Sequence, residues 1–301
     1  MAPRKKTSLE YNFPKPIDNK KLIGHSGTLK TFLDAWQKRD THPIHPVWML
    51  TGPRGIGKAT LAYKIAQMVY GSVGDFFIID QERNIDKEGR AKPDGKVISV
   101  FTVRAMIDKM QMSSMSGDWR VVLIDSVDEL NTAASNAILK LLEEPPAKTL
   151  FLLVVHQLSN VLPTVRSRAR VEKMHPLTIS QLRELCAAFM PEDDISTDTL
   201  RLSNGSFGRI ANLKRSGGDV IYADLIDLLN NPRSNSGDAM ALAKRIAPDN
   251  TMHSILLDAI AHFGLADLYP VATRAITDIN RVYLEPEIGI FKIITEIKKC
   301  L

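Results

Sequence analysis

The sequence predicts an α/β fold, with a parallel sheet in the N-terminal half and an all-α C-terminal half. Three observations carry this prediction. Residues 47–50, 121–124 and 150–155 are continuous apolar runs too short for buried helices, the pattern of strands covered on both faces. Segments with helical periodicity lie between them, and strands alternating with helices imply parallel pairing. After His175-Pro176 the apolar runs stop and only helical spacing remains.

The elements follow in order. The first 19 residues are polar and carry Pro3, Pro14 and Pro16, so a flexible arm is expected there. Leu29, Phe32, Leu33 and Trp36 recur at helical spacing, and Val47-Trp48-Met49-Leu50 is the first strand. Leu61, Ile65, Met68 and Val69 give the next helix one apolar face. Phe76-Phe77-Ile78-Ile79 is a second strand. Residues 81–96 are polar and end in a turn signature, Lys92-Pro93-Asp94-Gly95-Lys96, so they are expected to form an exposed hairpin or insertion. Thr102 is placed to cap a helix bearing Val103, Met106, Ile107 and Met110, which ends near Gly117-Asp118.

Strand 121–124 ends at Asp125. Asn131 can cap a helix whose apolar face is Ala134, Ala137, Ile138, Leu141 and Leu142, and Pro145-Pro146 stops it. Strand 150–155 follows. Further helices are marked by Leu182, Leu185, Cys186 and Phe189, by Leu225, Leu228 and Leu229, and by Ile255, Leu256, Ala259, Ile260 and Phe263. The last is marked by Ile276, Ile279, Val282 and Tyr283. A break at Ser216-Gly217-Gly218 divides this half into a small helical domain and a second bundle.

Composition excludes several classes. With 44% apolar and 24% charged residues, wholesale disorder is ruled out. No apolar run reaches the roughly 20 residues that a membrane span needs. The basic start, from Met1 to Thr7, lacks a following apolar core, so no secretory signal is expected and the chain reads as cytoplasmic. Lys plus Arg outnumber acids 39 to 34, a net +5 that permits a nucleic-acid partner without requiring one. Cys186 and Cys300 lie far apart with no CxxC, so two free thiols are expected instead of a disulfide framework or a structural zinc site.

Gly52, Pro53, Arg54, Gly55, Ile56, Gly57, Lys58, Ala59 and Thr60 nearly satisfy the P-loop pattern. Small residues let backbone N–H groups close around phosphate oxygens, and the helix start adds the positive end of its dipole. Lys58 is placed to reach the β- and γ-phosphates. The hydroxyl that ligates Mg²⁺ is replaced by the methyl of Ala59, while Thr60 is one step on. ATP or ADP is therefore a possible ligand, with Mg²⁺ weakly held. Asp125, at the carboxyl end of its strand, fits a Walker B aspartate. An ATP-hydrolysing AAA+ protein needs a Glu next, and Ser126 stands there. Asp128 and Glu129 lie at a different spacing and read as a solvent-facing helix entrance. Losing a water-orienting base costs on the order of 10²–10⁴ in rate. The residues read as nucleotide binding with little or no hydrolysis.

The stretch from Asn131 to Arg168 contains Asn136-Ala137-Ile138-Leu139-Lys140-Leu141-Leu142-Glu143-Glu144-Pro145-Pro146, the strand 150–155, and Leu162-Pro163-Thr164-Val165-Arg166-Ser167-Arg168. It closely resembles bacterial clamp-loader AAA+ subunits, specifically the δ′ (delta-prime) type of DNA polymerase III. Leu22-Ile23-Gly24-His25 and the Gly-Lys-Ala-Thr form of the P-loop fit as well. The likeness covers about residues 20–215 and is architectural beyond. It implies a P-loop AAA+ domain over 20–176, a helical lid over 177–216 and a helical collar for oligomerisation over 217–301, after the arm 1–19.

The resemblance also implies an accessory, stator-like role in DNA replication. The implied partners are gamma/tau and delta subunits, with the beta sliding clamp and primed DNA met through the complex and no membrane partner. Arg168 would be the arginine finger, given in trans to ATP on an adjacent gamma/tau subunit. Read without the family, Arg166, Arg168 and Arg170 are a basic loop or a phosphate-backbone contact. The family's Ser-Arg-Cys here is Ser167-Arg168-Ala169. No zinc is implied, because the four cysteines that many members carry are missing from 71–97. His156, just past strand 150–155, occupies the sensor 1 region and reads as a structural residue. Gly205-Ser206-Phe207-Gly208-Arg209 resembles sensor 2, whose Arg209 would touch phosphate. No polymerase carboxylate pair is evident. The alternatives are an autonomous AAA+ ATPase, such as a motor-type subunit or helicase loader, and a plain DNA-binding module.

Overall fold

Five short strands form one wholly parallel sheet: β1 (Val47–Thr51), β2 (Phe76–Asp80), β3 (Arg120–Asp125), β4 (Thr149–Val155) and β5 (Arg170–Lys173), in the order β2-β3-β4-β1-β5. The structure is a computed structural model. It describes residues 14–19, 21–71, 75–93, 97–111, 119–249, 252–281 and 285–301. Two compact units emerge among them: one of residues 14–195 with Ser203–Arg209, the other of Ser196–Leu202 with Ile210–Leu301. Among the described residues no helix is long and apolar enough to cross a membrane.

The first unit holds the sheet and α1 (Ser26–Gln37), α2 (Lys58–Tyr70), α3 (Val100–Gln111), α4 (Thr132–Glu143), the single turn α5 (Pro163–Arg166) and α6 (Ile179–Phe189). Successive strand residues point to opposite faces. Trp48, Leu50, Leu123, Leu152 and Val154 therefore pack with Phe32, Leu61 and Ile65 of α1 and α2. Val47, Met49, Val122, Ile124 and Leu153 pack with Met106 and Ile138 of α3 and α4. Both faces are covered, which explains why these strands read as unbroken apolar runs. Asn131 caps α4 as expected, its side chain accepting from the N–H of Ala134 at 2.7 Å.

Two details differ from the sequence reading. β5, Arg-Val-Glu-Lys, has no apolar run to announce it, because an edge strand with an exposed pattern needs none. Thr102 does not cap α3, which starts at Val100. It is buried instead, its hydroxyl donating to Asn84 Oδ1 at 2.8 Å and accepting from the N–H of Ile85 at 2.9 Å. Asn84, 1% exposed, organises the polar excursion after β2. It also accepts from the N–H of Ser99 at 2.9 Å and donates to the carbonyl of Val97 at 3.0 Å. An antiparallel bridge between Ile85 and Ala91 makes part of this segment a hairpin. The turn residues 94–96 and the expected helix end at 117–118 lie outside the described residues.

The second unit is helical: α7 (Thr197–Leu202), α8 (Phe207–Ser216, from Ile210 on), α9 (Gly218–Asn230), α10 (Ser236–Ile246), α11 (His253–His262), α12 (Leu268–Arg281) and α13 (Pro286–Lys299). Its core joins Leu225, Leu242, Ile246, Leu256, Ile290 and Ile294. α8 stops at Ser216 and α9 restarts at Gly218, around Gly217 at φ 72, so the sequence break is a real interruption of helix. α10 starts with a reciprocal cap between Asn235 and Asp238. Val282 and Tyr283 lie outside the described residues.

Candidate nucleotide site and arginine loop

The loop from Gly52 to Gly57 joins β1 to α2 at the carboxyl edge of the sheet, where ligands bind in open α/β folds. Its glycines are needed in place. Gly52 has φ 154, and a Cβ there would lie 2.5 Å from the carbonyl oxygen of Met174. Lys58, the first residue of α2, is 2% exposed. Its Nζ donates to the carbonyls of Gly52 and Pro53 at 2.7 and 2.6 Å. Burial lowers its pKa to about 8, opposed by Asp125 and Asp128.

The next three carbonyls of the loop are held from outside. That of Arg54 accepts from Ser206 Oγ at 2.8 Å, that of Gly55 from the N–H of Gly208 at 3.0 Å, and that of Ile56 from His25 Nε2 at 2.7 Å. A carbonyl only accepts, so His25 carries its proton on Nε2. Burial holds the His25 pKa below its ordinary value, against the raising effect of this bond, so the ring is neutral at pH 7. Among the described residues, the N–H groups of Gly55, Ile56, Gly57 and Lys58 donate to no backbone carbonyl. Runs of acceptor-free amides at helix starts are a recurrent way of binding anions.

Asp125 ends β3, in register with Asp80 on β2. Burial first, then the charges of Asp80 and Glu129, raise its pKa to about 6, and Lys58 and Arg54 oppose the rise. Ser126 is buried at 2% exposure. Asp128 and Glu129 are not a solvent-facing helix entrance. Asp128 accepts from the N–H groups of His156 and Gln157 at 2.9 and 3.0 Å, tying the end of β4 down. Glu129 accepts from Gln81 at 2.8 Å and pairs with Arg54 at 3.3 Å, an ion pair to the tip of the loop. Neither partnership has a sequence signal, since both depend on strand order. Burial takes the pKa of His156 down to about 4, so its ring is neutral.

The fold brings the P-loop, Asp125 and the start of α8 together. Arg209 lies one residue beyond Gly208, its N–H donating to Ser206 Oγ at 3.1 Å. Ser206 thus caps α8 while its own proton reaches the loop. Ala59 offers no metal ligand, and among the described residues no three His, Cys, Asp or Glu side chains converge as a metal cage.

Arg168 is not part of this group. It follows α5 and precedes β5, which runs parallel to β1 with Arg170 beside Trp48 and Lys173 beside Thr51. Arg168 therefore sits at the amino end of β5 and the P-loop at the carboxyl end of β1. At about 3.3 Å per residue, the four residues of β5 alone put on the order of 10 Å between those ends. Its Nη1 donates to the carbonyl of Thr164 at 2.8 Å, its Nη2 lies 2.5 Å from Glu143 Oε1, and it is a third exposed. Arg170 is committed elsewhere, to Glu172 at 2.8 Å and over the ring of Trp48 at 4.4 Å.

Known proteins agree with this architecture. Over 278 residues the chain is 26% identical to DNA polymerase III subunit gamma of Buchnera aphidicola subsp. Schizaphis graminum, covering 83% of this chain and 73% of that protein. Over 183 residues it is 31% identical to DNA polymerase III subunit delta' of Pseudomonas aeruginosa, covering 53% of this chain and 52% of that one. A solved structure of a DNA polymerase III gamma subunit-related protein from Thermotoga maritima superposes with a TM-score of 0.52 at 17% identity. It covers 90% of this chain and 98% of that chain, a likeness of fold. The sequence profile described as "DNA polymerase III, delta subunit" matches residues 28–178, half of the chain, and the chain belongs to that family.

Proposed function

We propose that this chain is an accessory subunit of a DNA polymerase III clamp loader, and that it acts in DNA replication by lending Arg168 to ATP bound on an adjacent gamma/tau-type subunit. Its own P-loop takes nucleotide weakly or not at all and hydrolyses it little. The observation that carries this reading is the placement of Arg168 at the end of the sheet opposite its own P-loop. A guanidinium there is out of reach of the chain's own site, and it serves another chain once it leaves Glu143 and the Thr164 carbonyl. Its fixed charge and forked donors suit a γ-phosphate. Membership in the family and the gamma and delta' relatives support the setting. Delta and gamma/tau subunits are the proposed direct partners. The beta clamp and primed DNA are met through the assembly.

Ala59 and Ser126 support weak catalysis at the chain's own loop, where metal ligation and water activation would otherwise sit. A bound ATP would bring its phosphate charge to the amides of residues 55–58 and to Lys58. Arg209, through its place on α8, is the proposed contact from the sensor 2 segment.

The test is Arg168→Ala in a complex reconstituted with gamma/tau and delta subunits, sliding clamp and primed DNA. Clamp-stimulated ATPase should fall by roughly 10³, the usual worth of such a finger, while gel filtration shows the complex intact. Unchanged ATPase rules the finger out. Brisk ATP turnover by the isolated chain with Mg²⁺ would favour an autonomous ATPase.

A further inference from the structure

We infer that His25 and Ser206 are positioning residues for nucleotide, holding the P-loop carbonyls outward so that the amides of residues 55–58 face the phosphate site. The inference rests on the first arm of the proposed function, that this loop takes nucleotide weakly. Three consecutive carbonyls are gripped by three donors from two places, the start of α8 and the residue before α1: Ser206 Oγ on Arg54, the Gly208 N–H on Gly55 and His25 Nε2 on Ile56. Lys58 holds the two before them, and Leu61 N–H holds that of Gly57 at 3.0 Å as the first bond of α2. Every carbonyl from Gly52 to Gly57 is thus engaged. A peptide unit cannot turn its N–H without turning its carbonyl, so fixing the acceptors fixes the donors. In a loop rich in glycine, which loses more freedom on ordering than any other residue, such fixing holds each peptide plane in one orientation.

His25 is well placed for this. It precedes α1 at φ 58, in the left-handed region, and its ring lies 3.9 Å from where a Cβ on Gly57 would stand. Ser206 works twice, capping α8 through the Arg209 N–H and bonding the loop.

The experiment measures NMR order parameters of the backbone amides at 54–58 in the protein without nucleotide, and ATP affinity by calorimetry, for wild type, His25→Phe, His25→Gln, Ser206→Ala and Lys58→Ala. Phe keeps the ring without the donor, and Gln restores an N–H. His25→Phe and Ser206→Ala should lower the order parameters of the loop from about 0.85 toward 0.6 and weaken ATP binding about fivefold, the worth of one hydrogen bond. His25→Gln should retain both. Wild-type order parameters in both His25→Phe and Ser206→Ala overturn the brace. ATP binding unaffected by Lys58→Ala, or undetectable in wild type, overturns the weak-binding reading instead, and the order parameters still decide the brace.

Discussion

Arg168 Nη2 sits 2.5 Å from Oε1 of Glu143, the last residue of α4, while Nη1 of the same guanidinium donates to the carbonyl of Thr164. The side chain is folded back on its own chain. An arginine that must meet a phosphate on another subunit has to surrender this carboxylate first, because a neighbouring negative charge cancels the potential it would offer.

Glu143→Gln should therefore lower the ATP concentration for half-maximal activity of the reconstituted complex, since the cation is released at smaller cost. The pair is partly exposed, so its loss should shift unfolding in urea by no more than about 1 kcal/mol. A higher half-maximal ATP concentration would show that Glu143 aims the Arg168 side chain instead of holding it back.

Lys58 titrates near pH 8 because burial disfavours its charge, even with Asp125 and Asp128 nearby. Phosphate binds the charged form. ATP affinity should accordingly fall as pH rises from 7 to 9, by up to about tenfold per unit above pH 8. In Lys58→Arg, which stays charged, the profile should be flat over that range. Titrations at three pH values check this, and parallel profiles for the two proteins would contradict it.

Asp125 has a folded pKa of about 6, raised by burial and then by Asp80 and Glu129, with Lys58 and Arg54 opposing. The folded chain holds this proton between about pH 4 and 6, where the unfolded chain has released it. Stability attributable to Asp125 thus falls as pH rises through that window and stays low above it. Asp125→Asn should be more stable than wild type at pH 7.5, by on the order of 1–3 kcal/mol, with the gap closing toward pH 4. Urea unfolding at both pH values measures it. A gap that widens in acid would refute the assignment.

Asn84 is buried with both ends of its amide bonded, to Ser99, Thr102 and Val97. Asn84→Ala strands several of these groups, and each unsatisfied buried group costs about 1–3 kcal/mol. A loss of about 2–4 kcal/mol in denaturant is expected. Loop amides between 84 and 99 should also exchange faster. Neither change would appear if the excursion were held only by its Asp86–Arg90 ion pair.

Strands β1, β3 and β4 were legible in the sequence because burial on both faces leaves no polar residue inside the run. The P-loop and the Asn131 cap were legible because local chemistry dictates residue types at fixed offsets. β5 was not, since an edge strand with Arg170, Glu172 and Lys173 carries no burial pattern. The roles of Asp128 and Glu129 are hidden in the sequence for a related reason. Their partners, His156 and Arg54, lie 28 and 75 residues away and meet them only through the order of the strands. Thr102 reads as a cap because it has a capping side chain near a helix start. Asn84, 18 positions away, claims that hydroxyl, and nothing local marks the competition.

A Cβ on Gly208 would lie 2.9 Å from the Cα of Gly55, main chain against main chain, with no flexible side chain between them to yield. Position 208 thus tolerates a hydrogen and nothing larger, although its own backbone angles are open to any amino acid. Mutational scanning of this site should return one residue type, through crowding alone, and even alanine there would act as a wedge that prises the phosphate loop from the helix beside it.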